Sequence, residues 1–417
     1  MKTAAVITIG DEILIGQVIN TNAAFIGQKL SEVGVELMRT VVVGDDRHEI
    51  MQAFEEYHAK YDAVLVTGGL GPTHDDITKK VVADYFKVSL VMNQAVLDNV
   101  RERLSKRNVP MKRVNEEQAL VPEGCTVLMN YWGTAPGMLF DSDEKFFAVM
   151  PGVPHEMRNI MTEYIVPRLR EKAVGQVIKH RVLRTTGIAE SSLFELLGNV
   201  EEMLGGKAKL AFLPSQFGVR LRITVKAPTV MAADDIISDI ETRIRSKAGK
   251  YIYSDGEVDI EDTLGKLLAE KKLTIATAES CTGGYISHRL TNISGSSAYF
   301  NRGVVTYSNE SKTELLGVPE ELIAKFGAVS EEVARAMAEG VRRIAKTDIG
   351  LSVTGIAGPT GGMPDKPVGL VFVGLSDAAG SIVTRHAFPD ERLRFKDRAS
   401  QAALELVRRR VLGLTNG

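Results

Sequence analysis

The sequence predicts an α/β protein of three domains, spanning residues 1–170, 171–255 and 256–417. Three observations predict it. A chain of 417 residues exceeds what one ordinary core supports, so two or three domains are expected. In the first region, short apolar runs alternate with amphipathic helical stretches, the pattern of a doubly wound parallel sheet; the last region alternates in a similar way. Between them, strand, helix, strand, strand and helix follow in order and make a small α+β module. Glycine-rich turns sit directly after several apolar runs, and in such sheets ligands bind at the carboxyl ends of the strands.

In the first region, residues 4–9 read as a strand. The helix after it starts near Thr21, with Ala24, Phe25, Ile26 and Leu30 on one face. Residues 35–43 read as a strand, 48–59 as a helix, and 62–67 as a strand apolar enough to be buried on both faces. Gly68, Gly69, Leu70 and Gly71 follow, and then Asp75 and Asp76 lead into a helix. Residues 146–150 form another strand, flanked by proline- and glycine-rich turns at 133–137 and 151–154. The polar residues just beyond these strand ends include Glu12, Asn20, Asp45, Asp75 and Asp76. Backbone N–H groups of the glycine loop suit a phosphate. The carboxylates suit a hard divalent ion that bridges to phosphate oxygens. The competing reading makes Asp45 and Asp75 ordinary caps and turn residues.

The middle module comprises strands at 177–185, 208–213 and 218–227 and helices at 189–197 and 231–246. Its Gly205-Gly206-Lys207-Ala208 segment lacks the second glycine of a nucleotide-clamping loop, so RNA binding is not expected. In the last region, residues 259–271 form an amphipathic helix and 273–276 an apolar, β-branched run. The turn Thr277-Ala278-Glu279-Ser280-Cys281-Thr282-Gly283-Gly284 then enters a helix at Tyr285. Such a turn holds Ser280 where a nucleophile is useful, beside backbone N–H groups of Cys281, Thr282, Gly283 and Gly284 that suit a developing oxyanion. The plain alternative is a helix cap with a glycine-rich start. A strand at 299–307 precedes a helix carrying Lys312 in its first turn. Ser330 caps a helix at 331–346. Strands at 349–354, 369–375 and 382–388 follow, and the last helix runs from about 392 to 412.

Composition narrows the classes. A net charge of −2 gives no electrostatic reason to expect nucleic acid or an anionic membrane as partner. The two cysteines, Cys125 and Cys281, lack metal-type spacing, and a reducing cytoplasm is expected. No apolar run reaches the length of a membrane span.

The first region resembles the molybdopterin-binding fold through Gly68-Gly69-Leu70-Gly71, the acid Asp76 before Ile77-Thr78, and Asp45 after the second strand. The wider wording resembles the CinA family. It is carried by residues 10–14, 20–22, 67–78, 133–137 and 151–157, then by 277–284, 295–297, 306–312, 327–330, 352–359 and 366–369. The middle module is similar to KH-type folds found in that family. The last region looks like a PncC-type nicotinamide mononucleotide deamidase. The resemblance implies an N-terminal ADP-ribose pyrophosphatase using a divalent metal, with Asp45 and Asp76 as metal ligands and Glu12, Asn20, Gly68, Gly69, Gly71 and Asp75 in the same site. It implies a metal-free, cofactor-free deamidase in which Ser280 is the nucleophile, Lys312 its base and Tyr307 a hydroxyl near the pair. Asn309, Thr354, Gly355 and Arg392 would contact the substrate together with residues 281–284.

The chemistry agrees with that implication. Amide hydrolysis needs a nucleophile, a base and an oxyanion site. No histidine lies in these motifs, but a lysine can accept a proton if burial lowers its pKa. Cys281 is the rival nucleophile. The expected partners are nicotinamide mononucleotide and ADP-ribose, with no direct nucleic acid, and the resemblance implies a homodimer. Two other readings stand beside this one: an adaptor linked to competence and DNA damage, and a molybdopterin-binding protein.

Overall fold

A computed structural model describes residues 1–73, 76–173 and 177–414. Its contacts divide the chain into two compact units. One comprises Met1–Lys179 with Val225–Asp235, the other His180–Thr224 with Ile236–Gly417. The sequence places boundaries at 170 and 255, whereas the contacts share the middle module between the two units.

The first unit contains a six-stranded sheet in the order Glu36–Val43, Thr3–Ile9, Ala63–Thr67, Phe146–Met150, Gly137–Asp141, Thr126–Leu128. The first four strands are parallel. Gly137–Asp141 runs antiparallel between Phe146–Met150 and Thr126–Leu128, an addition that the alternation of strands and helices does not announce. Successive residues of a strand point to opposite faces, and the core follows that rule. Val6, Leu65, Phe146 and Ala148 pack with Ile26 and Leu30 of the helix Thr21–Glu32. Ile7, Val64, Val66 and Phe147 pack on the other face with Ile50 and Phe54 of the helix Arg47–Lys60. Asp46 caps that second helix by accepting from His48 N at 2.8 Å and Glu49 N at 3.0 Å. Pro154, expected in a turn, instead opens the helix Pro154–Ile160. A proline fits the first helical turn because no intrahelical N–H is needed there.

The second unit carries a five-stranded sheet in the order Phe300–Val305, Ile275–Glu279, Ile349–Gly355, Leu370–Asp377, Gly380–Ala387. The first three are parallel and the last two antiparallel. Ile275–Glu279 extends three residues past the expected run at 273–276, so Thr277, Ala278 and Glu279 are strand residues and the turn begins at Ser280. Conversely, Thr306 and Tyr307 leave the expected strand, because Ser308 is already the cap of the helix Asn309–Leu316 and accepts from Ser311 N at 3.1 Å. One face of the sheet is covered by the helices Ile260–Lys271, Tyr285–Thr291 and Arg392–Val411. The helix Glu331–Ala345 covers the other, placing Val333, Met337 and Val341 in the core. The middle strands order as Ala208–Ser215, Gly218–Ala227, Val177–Thr185, Ile252–Asp255. No helix among the described residues is long and apolar enough to cross a membrane.

Phe147 is wholly buried, with the rings of Phe54 at 5.1 Å and Phe86 at 5.2 Å. Replacing it by alanine should cost about 3–5 kcal/mol. Hydrogen exchange of the amides at 63–67 and 146–150 should report that loss; unchanged protection would show that the ring cluster does not hold the sheet together.

Candidate active site

Ile275–Glu279 is buried at every position and lies between two parallel neighbours. Its end is therefore fixed from both sides. Ser280 N continues the ladder by donating to Val353 O at 2.9 Å, and the chain then turns. Gly283 (φ 60°) and Gly284 (φ 93°) take left-handed backbone conformations that favour glycine. Glu279, fully buried, accepts from Gly284 N at 3.0 Å, Ile286 N at 3.0 Å, and Ser287 N and Oγ at 2.8 and 2.7 Å. A carboxylate at a helix start satisfies N–H groups that have no intrahelical acceptor. No role is read for Glu279 from the sequence; an acid four residues before a Gly-Gly helix entry is the signal for one.

That arrangement corrects the oxyanion expectation. Gly284 N is held by Glu279, and Gly283 N donates to Ser280 O at 3.1 Å. Two of the four expected donors are thus engaged within the turn. Of residues 281–284 only Cys281 lines the cavity in front of Ser280.

The cavity has a volume of about 220 Å³. Ser280, Tyr307, Asn309, Lys312, Thr354 and Arg392 all line it, as do Cys281 and Gly355. Ala328, Val329 and Ala357 complete the wall; they lie in the motif segments 327–330 and 352–359 but are not singled out there as site residues. Lys312 is 1% exposed. Its Nζ lies 3.4 Å from Ser280 Oγ, 3.0 Å from Thr306 O and 3.2 Å from Ser308 O. Among the described residues no carboxylate forms an ion pair with it. Burial holds its pKa below the ordinary 10.5, against the weaker pull of Cys281 and Glu310. Burial likewise pushes the Cys281 thiol up to about 12, which favours its protonated form at neutral pH.

The remaining contacts are more indirect. Tyr307 is 61% exposed, and its hydroxyl accepts from Arg392 Nη2 at 2.9 Å rather than meeting Ser280. Its carbonyl does reach Lys312 Nζ, at 3.4 Å. Arg392 also donates from Nη1 to Gly358 O at 2.9 Å, which stations the guanidinium at the cavity mouth. Thr354 is fully buried, and its hydroxyl donates to Ala328 O at 2.8 Å. It positions the 328–329 wall and retains only an acceptor lone pair for a ligand. A side chain at Gly355 would meet Leu370 O at 2.7 Å, so the wall there is bare backbone.

In the other unit a cavity of about 810 Å³ opens at the carboxyl ends of Thr3–Ile9, Ala63–Thr67 and Phe146–Met150. Glu12, Asn20, Asp45, Gly68, Gly69, Gly71 and Asp76 all line it, and Asp75 lies outside the described residues. Gly68 (φ 115°) is required because a Cβ would meet Ile9 O at 2.1 Å. Its N–H donates to Met150 O at 3.1 Å, so Gly68 shapes the loop and is no free phosphate donor, contrary to expectation. Asn20 caps its helix at Ala23 N and reaches Thr8 Oγ1 at 3.0 Å. Asp45 exchanges hydrogen bonds with Asp11 at 3.1 and 3.2 Å. Its pKa is raised, by burial first and then by repulsion from Asp11, Glu12 and Asp76. Such a concentration of acid suits a cation. Among the described residues, however, no three His, Cys, Asp or Glu side chains converge as a cage. Glu156, on the same wall, accepts from Asn130 Nδ2 at 2.6 Å and was missed as a site residue.

Comparison with known proteins follows the same division. The CinA C-terminal domain model matches residues 257–411, the probable molybdopterin binding domain 5–171, and the damage-inducible protein CinA KH domain 180–254. A CinA-like protein of Salinibacter ruber is 46% identical over 407 residues, 97% of this chain and 98% of its own. The chain belongs to the CinA family. A second CinA-like protein, from Chloroherpeton thalassium, is 45% identical over 413 residues, again 97% of this chain and 98% of its own. The crystal structure of the protein CinA from Thermoplasma acidophilum aligns with 39% of this chain and 94% of its own at 37% identity, with a TM-score of 0.36.

A lysine with a lowered folded-state pKa makes stability depend on pH. Between the lowered value and the ordinary 10.5, the unfolded chain binds a proton that the native chain has released, so stability rises with pH across that interval. Lys312→Met should flatten that rise. Urea unfolding at several pH values would measure it, and equal slopes in the two proteins would mean that Lys312 titrates as a solvated lysine.

Proposed function

We propose that this CinA-family protein hydrolyses the carboxamide of nicotinamide mononucleotide to nicotinate mononucleotide and ammonia. The observation that carries the reading is Lys312 Nζ, buried, unpaired with any described carboxylate and 3.4 Å from Ser280 Oγ. Neutral Lys312 takes the Ser280 proton as Oγ attacks the amide carbon. The N–H group of Cys281, which lines the cavity, stabilises the oxyanion. The protonated amine then returns the proton to the leaving nitrogen, and ammonia departs. Water attacks the acyl-serine ester with Lys312 as base, releasing the acid and restoring both side chains. No metal takes part. A cavity of about 220 Å³ holds the reacting ring and little more, so the ribose phosphate extends to the mouth, where Arg392 offers a planar fork of donors.

The acid-lined cavity of the first unit supports a second activity, hydrolysis of ADP-ribose to AMP and ribose 5-phosphate. Asp45 and Asp76 would hold a divalent ion together with diphosphate oxygens and water. Such an ion would neutralise the diphosphate and activate the attacking water. The residues themselves supply negative charge and a glycine-shaped approach for a phosphate. The match to a molybdopterin-binding domain favours a pterin as the competing ligand of this cavity.

Ammonia release from nicotinamide mononucleotide should persist in EDTA and in Cys281→Ala. It should fall at least about a thousandfold in folded Ser280→Ala and Lys312→Ala. A wild-type protein that releases no ammonia, or an active Ser280→Ala, would falsify the mechanism. ADP-ribose cleavage should disappear in EDTA and in Asp76→Ala; co-purified pterin fluorescence with no cleavage would reassign the first cavity.

A further inference from the structure

The acids that line the cavity of the first unit fall into two groups. Asp11, Glu12 and Asp76 lie close enough to Asp45 to repel its charge. Glu156 lines the same cavity but is not among the acids that raise Asp45. Nor does it gather with other described acids into a group that could hold a metal ion. Glu156 therefore stands apart from the ion that Asp45 and Asp76 would hold, and the mechanism above gives it nothing to do.

Its side chain is nevertheless held from both sides. Glu156 sits in the first turn of the helix Pro154–Ile160. The turn before that helix is tied down where Thr67 Oγ1 donates to Pro151 O at 2.8 Å and Asn22 Nδ2 donates to Gly152 O at 2.7 Å. Across from it stands Asn130, 1% exposed. Asn130 Nδ2 donates to Glu156 Oε2 at 2.6 Å and to Ala135 O at 2.8 Å, while its Oδ1 accepts from Trp132 N at 3.1 Å and Gly133 N at 2.8 Å. These contacts fix the amide orientation, because a flipped Asn130 would turn its NH2 group toward two N–H groups. The loop is pinned from behind by Asn99 Nδ2, which donates to Asn130 O at 3.0 Å, and by Arg103, which donates to the carbonyls of Tyr131 and Trp132. A side chain at Gly133 would meet Glu156 Oε2 at 1.9 Å, so the carboxylate lies directly against this loop.

Bracing the loop uses one carboxylate oxygen only. Glu156 Oε1 accepts no hydrogen bond among the described residues, and it is not one of the buried atoms left without a partner, so it keeps accessible surface. The residue as a whole is half-buried on the cavity wall. An ionised carboxylate offers acceptors and no donor. It repels a phosphate and takes a hydroxyl proton in a charge-assisted hydrogen bond. In ADP-ribose, the uncharged parts rich in O–H donors are the two ribose rings.

We propose that Glu156 selects the ligand of this cavity by accepting a hydrogen bond from a ribose hydroxyl, with Asn130 as the residue that positions it. The inference rests on the ADP-ribose reading of the cavity and names the group that tells a ribose from a deoxyribose there. Asp45 and Asp76 then serve the diphosphate, and Glu156 serves the sugar. Loss of one charge-assisted hydrogen bond corresponds to about a tenfold preference for the ribose form.

The test is hydrogen exchange of the full chain with Mg²⁺ present, titrated with AMP and with ribose 5-phosphate, each beside its deoxyribose counterpart. The readout is the ligand concentration that half-protects the amides of 130–135 and 152–157. Wild type should need about tenfold more of the deoxy form in at least one pair, and the pair that shows this identifies the ribose being read. Glu156→Gln keeps the side chain's shape and an acceptor for Asn130, whereas Glu156→Ala removes both. The ratio should shrink in the first variant and approach one in the second. A Glu156 that only braces the loop would weaken ribose and deoxyribose ligands equally, leaving the ratio unchanged in both variants, and that result would overturn the proposal. A wild-type ratio near one in both pairs would overturn it too, as would the absence of saturable protection at these amides. Cleavage of ADP-ribose by the wild type is scored separately. A ratio that depends on Glu156 without cleavage keeps the proposal and removes the reaction; cleavage with no such dependence does the reverse.

Discussion

The geometry of the second unit depends on where the Glu279 carboxylate goes. It ends a wholly buried strand and is itself buried, so it must be satisfied by hydrogen bonds. Four donors from residues 284–287 meet it. This ties the last residue of the strand to the first turn of the next helix, and the chain between them closes into a short loop with Ser280 at its start. The loop then has little freedom. Ser280 N is held by Val353 O, Gly283 N by Ser280 O, and the two glycines adopt conformations that a side chain would strain. A side chain held this way has lost its conformational entropy during folding and need not lose it when a ligand arrives. The same contact also decides which backbone donors stay free for an oxyanion. Every N–H turned back to Glu279 or Ser280 is one that cannot face a ligand.

Lys312 is the complement of that arrangement. Its neighbours are carbonyl oxygens of Thr306, Tyr307 and Ser308, which orient an amine without stabilising its charge as a carboxylate would. Burial can therefore act on the pKa largely unopposed. The first unit uses the opposite electrostatics. There, burial first and then the crowding of Asp11, Glu12 and Asp76 raise Asp45, and the gathered acids favour a cation rather than a neutral base. The contrast fits two reactions. An amide needs a proton acceptor next to a nucleophile, whereas a diphosphate needs its own charge neutralised before any nucleophile can approach.

Much of this was legible in the sequence, for physical reasons that can be named. Strands buried on both faces are apolar throughout, and so 62–67 and 146–150 were visible as runs. Gly68, Gly283 and Gly284 were visible because a tight turn after a strand has few alternatives. What escaped depended on partners distant in sequence. That Ala328 O takes the Thr354 hydroxyl and that Arg392 meets the Tyr307 oxygen could not be read from the sequence, although both residues line the cavity with Ser280. Gly137–Asp141 was missed as a strand because its pairing is antiparallel and its signal is short. The end of the strand at Glu279 was missed because an acid is a poor strand residue by composition. Only the four donors waiting for it make that position favourable.

The two strand-end cavities share a topology that the sequence shows only as an alternation. In the first unit the chain begins with Thr3–Ile9, adds Glu36–Val43 on one side, and returns to add Ala63–Thr67 on the other. In the second it begins with Ile275–Glu279, adds Phe300–Val305 on one side and Ile349–Gly355 on the other. In each case the loops leaving the first and third strands part in opposite directions, and the carboxyl end of the first strand faces the gap. Gly10, Asp11 and Glu12 occupy that gap in one unit and Ser280 and Cys281 in the other. The crevice follows from parallel pairing and right-handed crossovers. Side chains at two or three strand ends then decide whether it collects acids for a cation or places a hydroxyl against an amine.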